Sequence, residues 1–106
     1  MIKKLLVVIF FLVSFSIFSQ EKSLDKLTTS PNPFSNQTEI SFKSNTEQYV
    51  ILSIRNVLGK TVFSEELKVK KGKNSFQFKR NDLKPGMYIY AIQTNKEVVS
   101  KRFVIR

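Results

Sequence analysis

Apolar and polar residues alternate in short runs over most of the chain. Ile40 and Phe42 stand two apart in TEISFK, as do Val50, Leu52 and Ile54 in YVILSIR and Phe76 and Phe78 in NSFQFK. A period of two places each set on one face of a strand, whereas a helix needs 3.6. KTVFSEE follows the same rule with Val62 as its inward residue, LKVK with Leu67 and Val69, and then YIYAIQT from Tyr88 and VVSKRFVI from Val98. Turn residues punctuate these runs at spacings of about ten residues, the rhythm of a small all-β domain. Gly59 in NVLGK suits a hairpin with a bulge because it takes a positive φ at little steric cost. KKGKN is a second turn, and Asn95-Lys96 is a polar hairpin tip. About seven antiparallel strands are expected, and two packed sheets are the economical way to bury their apolar faces.

DLKPGMYIYAI narrows this fold class further. Tyr88 follows Gly86 by two residues, at the start of a strand and just past a Pro-Gly turn. Immunoglobulin-like sandwiches place a tyrosine at such a corner, with its ring in the core and its hydroxyl bonded to backbone a few residues upstream. The expected fold is therefore an all-β, immunoglobulin-like sandwich.

The first residues do not belong to it. Lys3 and Lys4, an apolar run from Leu5 to Phe18, and Ser19 compose a secretory signal, with the cut expected between Ser19 and Gln20. As a helix that run spans about 21 Å at 1.5 Å per residue, short of the ~30 Å hydrocarbon core, so an anchor is the poorer reading. The expected organisation is a signal peptide over 1–19, a polar tail or linker over 20–29 and the sandwich over 30–106. In SPNPF the residue before each proline is pushed out of the helical region, which predicts an extended lead-in.

Removing the signal takes two of the 18 basic residues and none of the 8 acidic ones, leaving a net charge of +8. Such a charge attracts anionic partners. Export argues against nucleic acid and leaves an anionic polysaccharide or lipid surface, or an acidic protein. Lys68 and Lys70 in LKVKKGK would share an outward strand face, giving an alternative function as a secreted binding or adhesion module that contacts anionic surface polymer. His and Cys are both absent. This excludes the usual general base near neutral pH, a thiolate nucleophile, disulfides and most zinc sites, and the scattered carboxylates suggest no acid-base pair. No enzyme, metal or cofactor is expected.

The order of the motifs carries more than any one of them. SPNPF, a strand, NVLGK before TVF, KGKN, DLKPGMYIYAI and the closing SKRFVIR together resemble the type A C-terminal sorting domain of the type IX secretion system, found in Bacteroidetes-type bacteria. The resemblance runs from Pro31 to Arg106. It implies a targeting module that is read by the translocon and cut by a sortase. The cargo would be periplasmic in transit and then surface-bound or extracellular, and the mature chain would cross membranes without spanning one. Sorting-motif positions fall on Pro31, Asn32, Pro33, Phe34, Gly59, Lys60, Gly86, Tyr88, Lys101, Val104 and Ile105. The last strand would be free to lie along a partner's sheet edge. Only the short tail is available as cargo, unlike the family's long attached proteins.

Overall fold

Seven strands account for most of residues 22–106, the part of the chain that the computed structural model describes. The signal segment and its expected cut between Ser19 and Gln20 lie outside the described residues. In chain order the strands are β1 (Leu24–Ser30), β2 (Gln37–Ser44), β3 (Gln48–Arg55), β4 (Thr61–Val69), β5 (Gly72–Lys79), β6 (Gly86–Gln93) and β7 (Val98–Ile105). They form a three-stranded sheet, β1-β2-β5, and a four-stranded sheet, β4-β3-β6-β7, with all neighbours antiparallel. No helix among the described residues is long and apolar enough to cross a membrane.

The alternating residues meet between the sheets as expected. Ile40, Phe42, Val50, Leu52, Ile54, Phe78, Tyr88, Tyr90, Ile92, Phe103 and Ile105 are all buried. Each such side chain contributes about 1.5–3 kcal/mol on leaving water, and no disulfide assists them. Phe103 is the hub. The Tyr90 ring stacks on it at 5.3 Å and the Phe78 ring at 5.9 Å, while Phe34 meets it edge-on at 5.1 Å. Tyr88 forms the predicted corner: its ring is buried and its hydroxyl donates to the Lys84 carbonyl at 2.7 Å, four residues upstream.

Three expectations change. Leu24 to Thr29, read as tail, belongs to β1, which pairs with β2. Its two leucines are three apart, so strict alternation would bury only one of them. A register shift between Asp25 and Thr28 adds one residue to β1, and Lys26 takes a φ of 54° within it. The bulge turns Leu24 and Leu27 to the same side, and both are buried. KTVFSEE and LKVK are one continuous strand, β4, with a second bulge where Ile54 faces Phe63 and Arg55 faces Thr61. The extra residue, Val62, and its neighbour Phe63 both pack against the core. Finally, SPNPF is not an extended lead-in. It is part of a bent connection from β1 to β2, and both X-Pro peptide bonds in it are cis.

Candidate functional site

The strand order brings three of the turns with sequence motifs, SPNPF, NVLGK and LKPG, to one end of the sandwich, whereas KGKN, where Gly72 pairs with Ser44, lies at the other. At the first end β1 finishes beside the start of β2, Gln37 pairs with Lys79 at the finish of β5, and Gly86 at the start of β6 pairs with Ile105 of β7. The β3–β4 turn lies there too, since Arg55 pairs with both Thr61 and Ile89. Pro31 to Phe34, Gly59, Lys60, Gly86, Tyr88, Val104 and Ile105 therefore share this end. Lys101, paired with Tyr90 in mid-strand, does not.

The tightest junction is between SPNPF and β7. As the last strand of its sheet, β7 has an outer row of unpaired backbone groups, and the loop takes them up in succession. The Asn32 side chain donates to the Arg102 carbonyl (Nδ2 to O, 3.3 Å) and accepts from the Val104 amide (3.0 Å), so the amide group replaces one residue of a strand. Phe34 continues with its backbone. Its N–H donates to the Val104 carbonyl at 3.0 Å, and its carbonyl accepts from the Arg106 amide at 2.8 Å, forming a parallel bridge to Ile105. The Phe34 ring is buried against Phe103 and Phe78. The Thr38 hydroxyl, inside the core, donates to the Pro31 carbonyl at 2.7 Å. Thus the outer edge of β7 is covered between Arg102 and Arg106. A partner strand cannot add there without displacing Asn32 and Phe34, which corrects the expectation of a free last strand.

Arg80 holds the same junction from the side. Its Nη1 donates to the backbone oxygens of Ser35 (3.0 Å) and Arg106 (2.7 Å), and its Nε donates to the Leu83 carbonyl (3.1 Å). One guanidinium thereby links the SPNPF connection, the end of β7 and the turn before β6. Sequence reasoning did not single it out, because nothing in KRNDLK separates it from the other 17 basic residues.

The NVLGK turn is built for rigidity. The Asn56 side-chain oxygen accepts from the amides of Leu58 and Lys60, each at 3.0 Å, and the Asn56 carbonyl accepts from Gly59. Gly59 has a φ of +83° and Gly86 one of +150°, conformations that side-chain-bearing residues rarely adopt. At neither would a Cβ meet an atom within 4 Å, so any cost of substitution comes from the backbone conformation. Val57 and Leu58 project from the tip, 67% and 88% exposed.

Of Lys68 and Lys70 only the first lies within a strand. Lys68 lies on β4, 3.2 Å from Glu47, whereas Lys70 lies past the end of β4 with its backbone bonded to the Asn74 side chain.

At the opposite end a polar cluster fixes the start of β1. The Glu97 carboxylate accepts from the Ser23 amide (2.7 Å), the Leu24 amide (3.1 Å) and the Ser23 hydroxyl. The Ser23 hydroxyl bond is the largest cause that holds the Glu97 pKa below its ordinary value. None of the sequence-motif positions lies in this cluster.

A search of the curated proteins finds no match. Among solved structures, a β-glucosidase from Listeria innocua in complex with glucose resembles it at 18% identity and a TM-score of 0.39, over 76% of this chain. This chain spans 16% of that one. The model of a family described as the secretion system C-terminal sorting domain matches residues 29–106, from the last residues of β1 to Arg106. The chain belongs to this family, the C-terminal sorting domains of the type IX secretion system.

Proposed function

We propose that this domain is a folded sorting signal, read by the type IX machinery for passage across the outer membrane, and that the motif end is the surface by which it is read. Membership in the family implies a secreted, cell-surface or extracellular protein that interacts with that machinery, and the family is non-enzymatic. The observation that supports the finer reading is the convergence of motifs. Asn32 and Phe34 lie some 70 residues from Val104 and Ile105 in sequence yet bond to the same stretch of β7. Gly59, Lys60, Gly86 and Tyr88 reach the same end through the strand order. A signal assembled from both extremities of the domain exists only when the domain is folded, so recognition follows folding. A role in adhesion through a lysine face has no comparable support.

The test inserts a fluorescent reporter between Glu21 and Lys22 of the full chain, which leaves β1 intact. The fusion is expressed in a host with the type IX translocon and in the same host lacking it. The reporter should leave the cell only in the first. Retention in the periplasm of both would refute the proposal.

A further inference from the structure

The two outer faces of the sandwich differ in kind. On the β1-β2-β5 sheet the register places Asp25, Lys43 and Lys73 in one row, Thr28, Ser41 and Ser75 in the next, and Ser30, Glu39 and Gln77 in a third. That face is polar throughout, as expected for a sheet with one side in water. The β4-β3-β6-β7 sheet breaks the rule. Among the described residues every large apolar side chain that is exposed belongs to its outer face or to its β3–β4 tip.

The apolar surface has a defined layout. Met87 and Val104 are register partners, and the next row toward the sheet centre reads Arg55, Ile89, Arg102 across β3, β6 and β7. Two guanidiniums therefore bracket Ile89, and the exposed Val57 and Leu58 lie at the same end, in the β3–β4 turn just past Arg55. Beyond the Ile89 row lies a row of small residues, Ser64, Ser53, Ala91 and Ser100, that leaves the surface low. A contiguous exposed apolar patch in a soluble domain marks a docking surface. Its charge says what kind. The bracketing residues are both arginines, which present fixed forks of donors to carboxylates. The mature chain has a net charge of +8, so a second copy meets net repulsion while an acidic surface is attracted.

We infer that Met87, Ile89 and Val104, flanked by Arg55 and Arg102 and extended by the Val57-Leu58 tip, dock onto a folded protein surface with an apolar centre and a carboxylate rim. The inference rests on the sorting reading, and names which face of the domain the secretion machinery contacts and the chemistry of its receptor. Val104 joins the two, because its backbone is held by Asn32 and Phe34 while its side chain lies on the patch.

The reporter fusion tests it with four variants, Ile89→Glu, Ile89→Ser, Arg55→Glu combined with Arg102→Glu, and Ser75→Glu on the polar sheet. Thermal unfolding of each purified chain checks the fold, and Ile89→Ser serves if the glutamate prevents folding. Export should fall about tenfold or more for the Ile89 and arginine variants, the effect of losing one well-placed interface side chain, and remain at the wild-type level for Ser75→Glu. Equal export of all variants overturns the inference while leaving the sorting reading intact, as does equal loss in Ser75→Glu. Periplasmic retention of the wild type overturns both. Sedimentation of the purified chain and flotation with phosphatidylglycerol vesicles cover the other occupants. A dimer or a vesicle complex that Ile89→Glu abolishes assigns the face to a second copy or to a membrane and overturns the inference.

Discussion

The two ends of the sandwich are tied by different chemistry. At the motif end an aromatic ring, a side-chain amide and a guanidinium close the outer edge of β7, and the bonds join segments that are distant in the chain. At the opposite end one carboxylate gathers the start of β1, and the side chains around it are polar. The first arrangement is anchored in the hydrophobic core by Phe34, and no carboxylate side chain takes part in its bonds. The second is partly buried, and it depends on ionisation. Asn32 and Phe34 therefore serve the fold itself, because without them the last strand would have an open edge, a template for unwanted pairing.

Breaking the motif end should cost most. Phe34→Ala empties a fully enclosed site next to Phe103 and is expected to destabilise the domain by about 3–5 kcal/mol, read from urea unfolding of the purified chain. Arg80→Met keeps the aliphatic stem but leaves three backbone oxygens without its donors at a partly exposed junction, with an expected loss of about 1–3 kcal/mol. Asn32→Ala removes two exposed hydrogen bonds to β7 and should cost about 1 kcal/mol in the same assay. Glu97→Gln, at the other end, should have the smallest effect, below about 1 kcal/mol, because the glutamine keeps a side-chain oxygen that can accept from the Ser23 and Leu24 amides.

That last variant sharpens the contrast through pH. The folded-state pKa of Glu97 is lowered, chiefly by the Ser23 hydroxyl bond. A lowered carboxylate contributes stability that is complete above its unfolded value, about 4.3, and is lost as the pH falls through the folded value. The difference between wild type and Glu97→Gln should therefore persist at neutral pH and shrink in acid. The Phe34→Ala difference should not change over that range.

Most of this fold could be read in the sequence, since six of the seven strands follow from period-two alternation and the tyrosine corner from the spacing of Gly86 and Tyr88. β1 could not, because its bulge puts Leu24 and Leu27 on one face at an odd spacing that alternation does not register. The total of seven strands came out right for partly wrong reasons. Two short runs fused into β4, and the tail supplied the missing strand. The motif positions were legible only through resemblance, and their convergence needed the topology. Arg80 left no sequence signal, because its role comes from three backbone oxygens that only the fold brings within reach.

Amide hydrogen exchange at Val104 and Arg106 tests the central claim most directly, that SPNPF and β7 are one closed unit of the native domain. Both amides point away from β6 and have no strand neighbour, so their protection depends on the Asn32 side chain and the Phe34 carbonyl. Both should exchange far more slowly than free-peptide rates, and Val104 should lose protection in Asn32→Ala while Phe103 keeps it. Free-peptide exchange at Val104 and Arg106 in the folded wild-type chain would contradict the account.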